Sequence, residues 1–284
     1  MGTLANVIAD KAFNDKSTAS YNLSVLLGAD RLSYLVVDRH QQVLLLRAYD
    51  FSEAAKVPPL KEKLHELYLE DELLRHSYAN TTLAVVSPVH SLVPNRLFNE
   101  EQQEVYIKSV TSFPTDGIPL QDHIDAFQLH NCYFLEADLH QSIQSTLSPS
   151  KILHGASCLL QGFAKLAMQQ RRKQVFVNVR HRLLQIVAFD NTKLLYCNSF
   201  PFQDQHDFIY YLMLAYDQLQ FKPELVPVTL CGQLQAESSI YHLIYRYIRH
   251  IRLLPLPTFL RFNSGQETFP SHFYYDLFSL TLCE

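Results

Sequence analysis

His154 and Cys158 stand four residues apart, a spacing that sets two side chains on one helix face and would let an imidazole and a thiolate share a metal ion. No second pair at ligand spacing accompanies them, so a buried thiol beside a hydrogen-bonded imidazole is the expectation, and no metal is assigned. Asp38 and Asp50 end neighbouring apolar runs, where two carboxylates could face each other and hold metal ions for phosphodiester cleavage. Asp at a strand end is also an ordinary turn residue, and the apolar runs at 21–27 and 174–180 contain no carboxylate. Ser148-Pro-Ser-Lys151 has the spacing of a serine nucleophile and a lysine base, but KTG and SDN are absent. The 13 His are otherwise scattered, none in a recognisable nucleophile motif. No catalytic residue emerges, and the chain is expected not to be an enzyme.

Two basic stretches, RRK at 171–173 and RYIRHIR at 246–252, could meet a phosphate backbone. Ile248 and Ile251 make the second an amphipathic helix with a charged side, and the net charge of -4 supplies no attracting field, so nucleic acid is not expected as a partner. The 5 Cys are an odd number without CxxC spacing, which points to reduced thiols. The first twenty residues hold no apolar run of signal or membrane-spanning length, which places the protein in the cytoplasm with no membrane partner.

These residues must be carried by a sizeable fold. At 284 residues the chain exceeds one typical domain, and 48% hydrophobic against 18% charged residues exclude a disordered chain. Runs at 21–27, 31–38 and 42–51, parted by short polar turns, predict a three-strand meander. After Pro58 and Pro59, leucines at helical spacing predict a helix to about residue 76. TTLAVVS at 81–87 reads as a fourth strand, 99–110 as a helix capped by Asn99, and 131–137 as a strand. A helix over 149–170 follows, with Gly155 and Gly162 placed for close helix contact.

The plan then begins again. Runs at 174–180, 183–189 and 193–200 predict a second meander, a helix carries Phe208 to Leu219, 226–231 is a strand, and Ile240 to Ile251 line another helix. The aromatic segment at 269–282 reads as a terminal helix that could pack on either half. The expectation is an α/β protein with a first domain over 1–140 and a second over 141–284.

A βββαβα unit given twice resembles the duplicated ribonuclease-H-like plan of the actin, sugar-kinase and heat-shock chaperone ATPases and of pilus-assembly relatives. More narrowly, SLVPNRLF at 91–98 resembles a segment of an uncharacterised bacterial family of degenerate actin-like proteins, related in plan to pilus-assembly and secretion scaffold proteins. The resemblance implies two ribonuclease-H-like units in an actin-like ATPase arrangement. In such ATPases the first hairpin turn reads DxGT, with Asp for magnesium and Gly for phosphate approach. Here it reads Leu26-Leu27-Gly28-Ala29, with Asp30 beyond the turn. The second phosphate turn reads Asn178-Val179-Arg180-His181 without Gly, and the adenosine loop is reduced to Cys231-Gly232-Gln233. Gly28 and Gly232 are thus the only cofactor-contact candidates, and no cofactor is expected.

The expected function is a non-catalytic actin-like scaffold whose ligand is another protein or a second copy in a homodimer. Leu92, Val93, Pro94, Leu97 and Phe98 are the partner-binding candidates, on an apolar arm that is costly to leave in water. The same arm could instead pack over its own domain. Two other readings are a residual nucleotide-binding switch using Gly232 and the interdomain cleft, and a nucleic-acid-associated accessory protein.

Overall fold

The computed structural model describes residues 3–51, 59–263 and 269–283; Pro58 of the expected helix start lies outside them. The chain divides into two compact units, Met1–Cys158 with Thr258–Phe269 and Leu280–Glu284, and Leu159–Pro257 with Pro270–Ser279.

In the first unit the meander forms as β2 (Asn22–Leu27), β3 (Arg31–Val37) and β4 (Val43–Asp50), preceded by β1 (Thr3–Ala9), a strand not among those expected. All seven residues of β3 are buried, which explains why its sequence is a nearly continuous apolar run. Helix α1 (Leu60–Glu70) ends where Asp71 caps a short turn at Glu72–Arg75. Strand β5 (Asn80–Val85) lies parallel to β2.

A small sheet then interrupts the repeat: β6 (Ser91–Pro94), α2 (Gln103–Lys108), β7 (Gly117–Ile124) and β8 (Leu129–Glu136). Asn99 caps the turn before α2, accepting from Glu101 N at 3.0 Å. Helix α3 (Ala137–Thr146) and strand β9 (Lys151–His154) complete the unit. Leu23, Val25 and Leu27 of β2 meet Leu64 and Leu67 of α1 and Leu139 and Ile143 of α3 in one core.

Helix α4 (Gly155–Gln170) leads to the second meander, β10 (Gln174–Arg180), β11 (Leu183–Asp190) and β12 (Lys193–Pro201). Helix α5 (Gln205–Gln218), capped by Asp204, precedes β13 (Val228–Gly232), α6 (Ser239–Tyr247), β14 (Ile251–Leu253) and α7 (Tyr275–Leu280). Val175, Val177 and Ile186 pack with Phe208 and Leu212 of α5 and Ile244 of α6.

The sheets run β1-β4-β3-β2-β5-β9 and β12-β11-β10-β13-β14. Setting β1 aside, each is an antiparallel meander followed by two strands parallel to its first, so the units repeat one topology.

Three expectations change. Residues 141–158 lie with the first unit, not the second: Ile143 is in its core and β9 pairs with β5, so the break falls at 158 and not at 140. The helix expected from Pro149 starts at Gly155, because 151–154 is that edge strand. The RYIRHIR stretch is not one helix, since α6 stops at Tyr247 and Ile251 opens β14. Of the terminal aromatic segment, Pro270–Ser279 belongs to the second unit: a Cβ on Gly162 would lie 2.1 Å from Ser279 Oγ, and Tyr275 Oη donates to Gly162 O at 3.0 Å.

Candidate functional site

The first turn lies between β2 and β3. Gly28 N donates to Arg31 O at 2.9 Å, and Gly28 does not use a left-handed backbone conformation, so it serves the hairpin. Lys63 of α1 is buried to 2% exposure, and its Nζ donates to Ala29 O at 2.7 Å while lying 4.3 Å above the Phe51 ring. Burial lowers the Lys63 pKa, with the Asp30 charge acting against it. The ammonium thus meets a turn carbonyl from within the fold. Beside it a pocket of about 470 Å³ is lined by Ala29, Lys61, Ser87 and Glu136 among apolar neighbours.

The second turn follows β10. Arg180 is only 2% exposed, and its Nη1 donates to Asp276 Oδ2 of α7 at 3.0 Å. Asn178, also buried, donates through Nδ2 to Gln185 Oε1 at 2.9 Å and accepts a thiol contact from Cys231 at 3.5 Å. Gly232 has φ +85°, and a Cβ there would lie 2.1 Å from Val179 O. Its lack of a side chain serves the close approach of β13 to β10, sealed by Gln233 N donating to Val179 O at 2.6 Å.

The expected arm is a paired strand. β6 lies antiparallel to β8, with Leu92 opposite Asn131 and Val93 opposite His130. Val93 is 6% exposed in a small core with Ile107 and Cys132, so its side chain is spent on that core and not presented to solvent as expected of the arm. Leu92 and Pro94 are half-buried. Phe98 is half-buried too, stacked on the His130 ring at 3.7 Å between centroids and 6° between planes. Leu97 is open at 62% exposure, and Val105 of α2 and Val110 just after that helix are 59% and 55% exposed.

The remaining sequence candidates come apart. Asp38 accepts from His40 N and Gln42 N in its own turn. Asp50 sits opposite Arg31, at the far end of the β3–β4 pair, so the two carboxylates do not face each other. Ser148 Oγ donates to Gln144 O and Lys151 Nζ to Cys283 O, so they are not a nucleophile and its base. His154 ends a strand while Cys158 lies in α4, whose Sγ donates to His154 O. Among the described residues no group of three His, Cys, Asp or Glu is placed to hold a metal ion.

Two polar clusters escaped sequence reasoning because their members are far apart in the chain. Asp71 accepts from Tyr34 Oη at 2.5 Å, Tyr49 Oη at 2.6 Å and Arg47 Nη1 at 2.8 Å, under an open pocket of about 600 Å³. Burial works against the Asp71 charge, but the two hydroxyls and the guanidinium outweigh it and hold its pKa down. Asp122 accepts from Ser157 Oγ at 2.5 Å, His154 N at 2.8 Å and Tyr133 Oη at 3.1 Å. Burial raises Asp122 to about 6 against those donors. Ser157 donates to the carboxylate directly and accepts from Asn131 Nδ2, so no imidazole stands between hydroxyl and acid as a nucleophile relay requires.

Residues 10–251 match the family model described as protein of unknown function (DUF3822). The chain belongs to this family. No curated protein matches its sequence. Among solved structures it is similar to a Bacteroides thetaiotaomicron protein described as having an actin-like ATPase fold and unknown function. The TM-score is 0.81 at 20% identity, over 96% of this chain and 99% of that one. A chain of the PilM–PilN type IV pilus biogenesis complex aligns with TM-score 0.64 and 12% identity, over 92% and 98%. The ethanolamine utilization protein EutJ of Carboxydothermus hydrogenoformans aligns at 0.50 and 8%, over 92% and 89%. At these identities the likeness establishes the fold: this DUF3822 member has the actin-like ATPase fold. No helix among its described residues is long and apolar enough to cross a membrane.

Proposed function

We propose that the protein is a non-catalytic, self-associating scaffold that keeps the actin-like architecture for protein binding, with both phosphate turns turned to internal use. The observation that carries this reading is the Arg180–Asp276 pair, in which the cation at the second turn is neutralised inside its own unit at 3.0 Å. Asn178, in the turn where the resembled ATPases carry an Asp followed by glycines, is spent on Gln185, while Lys63 is bound to the backbone of the first turn. Losing one preorganised charge-stabilising donor costs about 10² to 10³ in rate, and here both turns have lost theirs.

Among the described residues the inserted β6–β8–β7 sheet has no counterpart in the second unit, so the repeated topology does not require it. The insertion leaves Leu97, Val105 and Val110 exposed, apolar side chains suited to a protein partner. The fold-mate PilM comes from a complex with PilN, which supports protein assembly as a use of this architecture.

Titration calorimetry with ATP and magnesium tests the reading. The expected outcome is no heat and no shift in melting temperature; binding with a Kd near about 1 μM would overturn it and favour a nucleotide switch.

A further inference from the structure

The two units share one topology and differ at one edge. In the first, β1 lies antiparallel along the outside of β4, from Thr3 opposite Asp50 to Ala9 opposite Leu45. β12 holds the equivalent place in the second, and among the described residues no strand pairs with its outer edge.

The equivalence extends to a local irregularity. β4 carries one extra residue, Leu44, where its register on β3 passes from Val36–Leu45 to Val37–Val43. β12 carries Leu195 in the same way, between Ala188–Tyr196 and Phe189–Leu194. A bulge can deter pairing at an edge. It does not do so on β4, where Leu44 O accepts from Asp10 N at 2.8 Å. The β12 edge therefore has a backbone form that already takes an antiparallel strand elsewhere in this chain.

Phe202 N donates inward to Arg182 O, so alternation turns the main-chain groups of Pro201, Ser199 and Cys197 outward. Pro201 has no N–H, and the Ser199 N–H is taken by Asn198 Oδ1 at 2.8 Å, which closes that half of the strand. Cys197 turns its N–H and C=O outward, and Leu195, the counterpart of Leu44, turns its C=O outward as Leu44 does. Toward the Pro201 end an aromatic cluster borders the strand: Phe200 stacks on Tyr211 at 4.5 Å, Tyr211 meets Tyr210 at 5.4 Å, and Tyr210 is 61% exposed.

We infer that this edge is the self-association surface, with β12 lying antiparallel on β12 of a second copy about a two-fold axis. The inference rests on the scaffold reading and deepens its self-association. A two-fold axis produces the antiparallel sense that β1 has on β4. With Leu195 opposite Cys197 of the other copy, the Cys197 N–H of each copy meets the Leu195 C=O of the other, as Asp10 N meets Leu44 O. The single charged residue of the strand, Lys193, then meets Ser199, so no like charges oppose.

The test uses the full chain, by sedimentation and amide hydrogen exchange from about 1 to about 200 μM. Expected are a concentration-dependent dimer and slowed exchange at Cys197. Cys197→Pro removes that outward donor on an edge strand, where proline is tolerated, and Tyr210→Glu adds charge on an exposed helix position; each should weaken the dimer at least about tenfold. If Cys197→Pro unfolds, Tyr210→Glu decides, with its melting temperature at low concentration matching the parent chain. A monomer throughout the range, a dimer unmoved by Tyr210→Glu, or protection confined to α2 and β6 would overturn the assignment. ATP calorimetry on the same samples is independent of all these outcomes, so failure of the edge is distinguishable from failure of the scaffold reading.

Discussion

Arg180 and Asp276 are almost wholly removed from water, so each needs the other. Truncating one member of such a pair leaves a buried charge without its counterpart, typically at a cost of about 3–5 kcal/mol. Asp276→Ala should lower the unfolding free energy by that amount in urea titration, whereas Arg180→Met with Asp276→Leu should cost clearly less. Gly232→Ala forces a Cβ against Val179 O at a positive φ, and it should destabilise by more than about 1 kcal/mol without altering any ligand affinity. At this scale the departure of the second turn from the resembled pattern was legible, since Asn178 to His181 can be read directly. The ion pair made there was hidden, because Arg180 finds its acid 96 positions away.

Among the elements, the junction of β9 and α4 with the inserted sheet gathers the groups that titrate near neutrality. Burial holds the His90 imidazole down at about 4 and keeps His154 well below the usual histidine range, the neighbouring His90 adding to the effect and the Ser87 backbone opposing it. The unfolded chain takes up those protons from about pH 6.5 downward and the folded chain does not, so stability falls as pH drops from 6.5 toward 4. Asp122 works in the opposite sense. Its carboxyl, held up at about 6, keeps its proton in the fold where the unfolded chain has released it, so acidification from 6 to 4 adds stability. Two histidines outweigh one carboxyl, and chemical unfolding should show a less stable protein at about pH 4.5 than at about pH 7. His90→Gln should remove on the order of 2 kcal/mol of that loss, and Asp122→Asn should deepen it. The meanders, α1, α5 and the capping role of Asn99 were legible from apolar spacing and the cap residue. β7 and β9 were not: GIPLQDHI is half polar because one face of its strand is wet, and KILH is too short to show a period.

For the whole molecule, the repeat was visible because each copy is built from long, doubly buried strands with unmistakable composition. The division between copies was not, because nothing in a linear pattern reveals that residues 141–158 close the first sheet or that the chain crosses back afterwards. That return is measurable. Val43 N donates to Arg261 O and Arg261 N to Gln41 O, so the segment Thr258–Phe269 edges the first unit. Arg261→Pro, which removes the N–H donated to Gln41 O, should lower hydrogen-exchange protection at Val43 while the β10–β11 amides keep theirs.

The same crossing sets a timetable for biosynthesis. A ribosome delivers Met1–Cys158 early, yet Thr258–Phe269 and Leu280–Glu284 emerge only after all of Leu159–Pro257 has been translated. The nascent N-terminal half must therefore wait, with its Gln41–Val43 backbone still in water, while the half made later gathers its own core first.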